Sequence, residues 1–119
     1  AMSSFWVKVA GISGGLSIAL GAFGAHGLKS RTDASMLKVW ETAAHYHLIH
    51  SVALLAVATG GGGVLSRRAA RVAPPLLLAG MVLFSGSLYA LVLSQKKGLG
   101  AITPIGGMLL IGGWAALAL

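Results

Sequence analysis

The stretch VAPPLLLAGMVLFSGSLYALVL, residues 72–93, has no charged side chain, and its only hydroxyls are those of Ser85, Ser87 and Tyr89. At 1.5 Å per residue a helix of this length reaches about 33 Å, enough to cross a hydrocarbon layer of about 30 Å. A helix lying against water needs a polar stripe, and this segment has none. It therefore predicts a transmembrane span, with Pro74 and Pro75 in its first turn, where a missing N–H costs least.

Three further windows read the same way. Residues 5–25 carry only Lys8, near the outer end, where the long stem lets the ammonium reach the interface. Residues 34–59 carry no Lys, Arg, Asp or Glu after Lys38 and Glu41; Thr32 and Asp33 supply an N-cap, and the run Gly60–Gly63 offers a stop. Residues 102–119 open with Thr103 and Pro104. The joining segments, 29–38, 66–71 and 94–100, are short enough to force antiparallel neighbours. The expectation is an all-α integral membrane protein, a four-helix transmembrane bundle of up-down-up-down topology, in one domain over residues 1–119. The small residues ending the first window resemble a signal-peptide cleavage site, but no cationic stretch precedes Phe5, so the segment reads as a mature helix.

Composition agrees. Of 119 residues, 56% are hydrophobic and 9% charged, where a soluble domain carries about 25% charged residues. Nine Lys and Arg oppose two acidic residues, yet they are scattered at the edges of apolar stretches instead of forming a patch, which argues against nucleic acid and for contact with membrane lipids. Arg67, Arg68 and Arg71 on one side, and Lys96 and Lys97 on the other, read as interface anchors. With no cysteine, disulfides and thiolate metal sites are excluded.

Eighteen glycines in so apolar a chain suggest helix packing, because glycine lets helix backbones approach closely in lipid. Gly11, Gly15 and Ala19 form a four-residue ladder on the first helix, and Met108, Gly112 and Ala116 form another on the fourth.

Four crossings put the first and third connections on one membrane face. That face receives His26, the start of the second helix, Tyr89 and Thr103. Taking 100° per residue, His47 and His50 share the helix face with Met36, Trp40, Ala43, Ser51 and Leu54, while His45 points nearly opposite. An ionisable group on an inward membrane face is a functional candidate. His26, His47, His50, Tyr89 and Thr103 thus form a candidate polar or ligand-binding cluster. The plainer alternative is that these imidazoles only hydrogen-bond to neighbouring helices. A metal or haem reading is weak, since a His pair three apart is half a site and no inward carboxylate completes it; no metal and no cofactor is expected. Paired carboxylates, nucleophile elbows and phosphate loops are missing, so no catalytic residue is assigned and the chain reads as a non-enzyme.

Four segments carry a resemblance: Gly21-Ala-Phe-Gly-Ala-His-Gly27, Tyr46-His-Leu-Ile-His-Ser51 with Ala53-Leu-Leu55, Phe84-Ser-Gly-Ser-Leu-Tyr89, and Ile102-Thr-Pro-Ile-Gly-Gly107 with Gly113-Trp114. In this order they resemble the small membrane family known as domain of unknown function 423, which includes the transmembrane protein 256 members. The resemblance implies a multi-helix membrane fold of unestablished activity and transfers no catalytic residue. It implies a bacterial cytoplasmic membrane or a mitochondrial inner membrane. The leading expectation is a structural or accessory component packing with itself, as a homo-oligomer, or as a subunit of a larger membrane complex. The alternative is transport or sensing of protons or a small polar ligand at the His/Tyr cluster.

Overall fold

The computed structural model describes residues 2–119, with side chains from Ser4 onward. Four helices follow one another: α1 (Met2–Phe23), prolonged by a π turn (Gly24–Leu28); α2 (Ala34–Ala58); α3 (Arg67–Ser94); and α4 (Thr103–Ala115), flanked by 3-10 turns at Lys97–Ala101 and Ala116–Ala118. The molecule measures 46 × 26 × 17 Å, its long axis matching the roughly 42 Å of the 28-residue α3. This is an all-α integral membrane fold. Three of the helical segments are long and apolar enough to cross a bilayer. The exception is α2, whose average is lowered by Lys38, Glu41 and three histidines; it packs between α1 and α3.

Three layers of side chains fill the interior. Leu28, Trp40, Leu91 and Val92 close one end; Ala10, Leu54, Met81 and Leu110, one from each helix, form the centre; Val57, Ala73, Leu77 and Ala116 close the other end. The outer surface is equally apolar. Ile12, Ile18, Val52, Val82, Met108 and Ile111 are each at least 60% exposed, a surface that hydrocarbon satisfies and water does not.

Local chemistry sets the helix ends. Asp33 caps α2: its Oδ1 accepts the Met36 N–H at 2.8 Å and the Ser35 hydroxyl at 2.7 Å. These two hydrogen bonds, the backbone one foremost, hold its carboxyl below the usual carboxylate range. Past Thr59, all four residues of Gly60–Gly63 have φ between +56° and +89°, the left-handed region in which only glycine is unstrained. Ser66 then caps α3 by accepting the Ala69 N–H at 3.0 Å.

That early cap corrects two expectations. The connection between α2 and α3 is residues 59–66, so Arg67, Arg68 and Arg71 belong to α3 itself, all exposed, while Lys96 and Lys97 are exposed beyond its far end. Pro74 and Pro75 consequently lie inside the helix, two turns from its start. Burial of the Pro74 ring against the core offsets the lost N–H, and the helix stays continuous.

The ladder on α1 makes no close contact within the chain. Gly11, Gly15 and Ala19 are exposed, and no heavy atom lies within 4 Å of a Cβ built at either glycine. The reason is rotational: Ser13 bonds Ser51 and His47 on α2, and turning it inward turns these glycines outward. On α4, Met108 is outward, Gly112 meets only Leu76, and Ala116 is buried. The close approaches occur elsewhere. A Cβ at Gly106 would overlap the backbone of Phe84, and one at Gly80 would come within 2.8 Å of the Leu110 nitrogen, so α3 and α4 cross backbone to backbone. At the end of α1, Gly24 lies under the Trp40 ring, whose Nε1–H donates to the Leu20 carbonyl at 2.7 Å.

Candidate functional site

Of the five candidate cluster residues, only His47 and Tyr89 come together. His26 is exposed at the end of α1. Thr103 bonds to Ser87 at 2.6 Å, joining α4 to α3. His50 is buried, as its helical phase indicates, but faces α4: its Nε2 accepts the Trp114 indole N–H at 3.0 Å and its Nδ1 lies 2.7 Å from the Tyr46 carbonyl. An indole only donates, so Nε2 is bare and Nδ1 carries the proton that bonds Tyr46. His47 and His50 therefore point to different neighbours. Among the described residues, no three His, Cys, Asp or Glu side chains lie close enough to hold a metal ion.

Among the described residues, His47 is the centre of the one polar network that crosses three helices. Its Nδ1 is 3.0 Å from the Tyr89 hydroxyl on α3, its Nε2 is 3.0 Å from the Ser13 hydroxyl on α1, and Ser13 is 2.7 Å from Ser51 on α2. Ser51 in turn donates to the His47 carbonyl at 2.8 Å. Counting hydrogens gives the network a direction. If Ser51 spends its one hydrogen on that carbonyl, Ser13 must donate to Ser51, His47 Nε2–H to Ser13, and the Tyr89 O–H to the bare Nδ1. Among the described residues no buried side-chain nitrogen or oxygen lacks a partner.

His47 is 13 residues, about 20 Å, along α2 from Ala34. Tyr89 lies about 8 Å inside the end of α3.

The network also borders open space. The α1 and α3 backbones scarcely approach each other, and a groove of about 410 Å³ runs between them. Val9, Ile12, Leu16, Leu78 and Val82 form its apolar sides, and Ser13, His47, Ser85 and Tyr89 are its polar lining. A second cavity of about 500 Å³, at the opposite membrane face, lies among Trp6, Thr59, Arg67 and Arg71.

Ser13, Ser51 and Trp114 are site residues that motif reasoning missed. Ser51 stood in the same phase as His47 and four residues on, a signal sufficient to include it. Ser13 and Trp114 had no such mark, since only the rotation of α1 and α4 against α2 makes them partners.

Residues 20–107 match the family described as protein of unknown function (DUF423). A membrane protein of Staphylococcus aureus, named UPF0382, is 47% identical over 105 residues, covering 86% of this chain and 82% of its own length. One from Schizosaccharomyces pombe is 43% identical over 116 residues, covering 92% and 95%, and one from Haemophilus influenzae is 39% identical over 117 residues, covering 98% and 93%. No solved structure matches the chain. With the family match spanning most of its length, and with similarity to membrane proteins of bacteria and a yeast, this chain belongs to the DUF423 family of membrane proteins, for which no activity is established.

Proposed function

We propose that the protein is a non-catalytic membrane component that packs through the outer face of α1 against another copy of itself or a subunit of a larger membrane complex. One observation carries this reading: Gly11 and Gly15, a turn apart, front open space on an exposed helix face, flanked by the exposed Ile12 and Ile18. Such a face lets a second helix approach closely, and lipid alone gives no reason for two glycines that weaken the helix. The membrane is proposed to be the cytoplasmic membrane of a bacterium or the mitochondrial inner membrane; similarity to bacterial and yeast membrane proteins supports this.

The test is the native mass of the full chain in mild detergent, together with cross-linking in membranes, for the wild type and Gly15→Leu. Because nothing touches a Cβ at Gly15, the variant leaves the chain's own packing alone. A multimer or complex in the wild type that Gly15→Leu dissociates supports the reading, and a monomer without a co-purifying partner overturns it.

A second reading is favoured by the network of Ser13, His47, Ser51 and Tyr89: handling of protons or a ligand at the His/Tyr cluster. A hydrogen-bonded imidazole between two hydroxyls inside the bundle is chemically suited to both. Proton flux into liposomes holding the wild type and His47→Gln checks it. Equal flux in the two removes His47 from any such role.

A further inference from the structure

We infer that the groove between α1 and α3 binds a neutral, single-headed lipid that enters sideways from the bilayer and places a hydroxyl or carbonyl headgroup on Tyr89. This deepens the second reading above, on which it rests, by giving the ligand a chemical class.

Three observations select that class. First, the lining residues include no Lys, Arg, Asp or Glu, so a phosphate or carboxylate headgroup would be desolvated without a counter-charge. Second, the groove opens between two apolar, membrane-crossing helices and its sides are the exposed Ile12, Leu16 and Val82, which suit an acyl or isoprenoid chain and not a water-soluble ligand. Its volume of about 410 Å³ is within the range of small-molecule sites. Third, the network can serve either kind of neutral headgroup. In the direction derived above, the Tyr89 hydrogen is committed to His47 Nδ1, and a lone pair on its oxygen is free to accept from a ligand hydroxyl.

The opposite direction is equally connected. Ser51 donates to Ser13, Ser13 to His47 Nε2, and His47 Nδ1–H to Tyr89 Oη, which frees the Tyr89 O–H to donate to a ligand carbonyl. Reversal forfeits only the bond from Ser51 to the His47 carbonyl. No proton enters or leaves the protein, because the imidazole changes tautomer and three hydroxyls rotate. The groove therefore accepts long-chain alcohols and isoprenoid quinols, which share a hydroxyl headgroup, and the carbonyl form of the latter.

A built-in control is Gly86. It lines the groove, and nothing lies within 4 Å of a Cβ placed there, so Gly86→Leu fills the groove without a clash. The experiment uses the full chain in phosphatidylcholine nanodiscs with three probes: a diazirine-bearing long-chain alcohol, decyl quinol as unlabelled competitor, and a diazirine-bearing phosphatidylcholine.

The alcohol is expected to label peptides around Ser13 and Val82, with labelling lost in Gly86→Leu and weakened about tenfold in Tyr89→Phe, the effect of losing one well-placed hydrogen bond. Displacement by decyl quinol identifies the isoprenoid source; displacement only by excess unlabelled alcohol identifies the aliphatic one. Equal labelling by phosphatidylcholine, or labelling unchanged in Gly86→Leu, means ordinary boundary lipid and overturns the proposal. So does an inter-chain cross-link from this groove, which assigns it to a second copy. Absent alcohol labelling with His47-dependent proton flux intact overturns this proposal alone, whereas loss of both overturns the second reading as well.

Discussion

The indole N–H of Trp114 donates to Nε2 of His50 at 3.0 Å and ties α4 to α2, two helices whose backbones hardly meet. The bond fixes the tautomer of a buried imidazole and satisfies the one polar atom that Trp114 brings into the bilayer. It also separates His50 from the cluster around His47, so two histidines on one helix face serve different interfaces.

Trp114→Phe should lower stability by about 1–2 kcal/mol, the cost of a hydrogen bond in a membrane protein plus a bare buried nitrogen. Unfolding by SDS titration in mixed micelles measures it. In a His50→Leu background the same substitution should cost clearly less; equal costs would mean that the two side chains are not coupled.

Gly106→Ala should cost about 2–3 kcal/mol or prevent folding, because its methyl group meets the Phe84 backbone, which cannot rotate away. In the monomer Gly11→Ala should be neutral or stabilising by up to about 1 kcal/mol, since within the chain an exposed helical glycine with open space beside it gains only helix preference. Folded yield and micellar unfolding of the pair compare an interior contact with an outward face.

Acid should loosen the start of α2 through Asp33. Its folded pKa lies below the ordinary 3.8, so its contribution is present above that value and is lost as pH falls through the lower folded one. Amide protection at residues 34–38, measured relative to the intrinsic exchange rate at each pH, should therefore fall below about pH 4 in the wild type. Asp33→Asn, which still caps but does not titrate, should remove that pH dependence, and Asp33→Ala should show low protection at every pH.

Gly62→Ala should destabilise the turn between α2 and α3 by about 1 kcal/mol through its left-handed backbone alone, as φ is +74° and the site is open. Gly62→Asn should cost less, because asparagine tolerates that conformation better. Thermal unfolding of the two variants gives the comparison, and equal losses would contradict the conformational explanation.

Much of the site was legible before folding. The phase of α2 placed His47 and His50 inward and His45 outward, because a helix with one protein-facing side repeats at 100° per residue. The spacing of Gly11, Gly15 and Ala19, small residues over about two turns, marked a packing face but not the side of the bundle on which it lies. Ser13 decided the rotation of α1, since its hydroxyl reaches Ser51 and His47 only when turned inward, whereas a glycine is content on either side. The extent of α3 was misjudged for a related reason: Ser66 and the polar Arg67, Arg68 and Arg71 lie outside the hydropathy window yet continue the same helix.

Hydropathy belongs to each segment separately, which is why the order of residues alone determined the solvent, the four helices, their antiparallel course and the inward side of α2. The pairing of groups from distant segments depends on how each helix turns about its own axis and how far its neighbours stand apart. Only the packed molecule decided that Ser13 and Tyr89 grip His47 from opposite sides, that Trp114 holds His50, and that α1 and α3 leave a groove between them. Those choices follow from the joint need to bury serine and imidazole against partners while glycine lets α3 and α4 close, a condition no single segment carries.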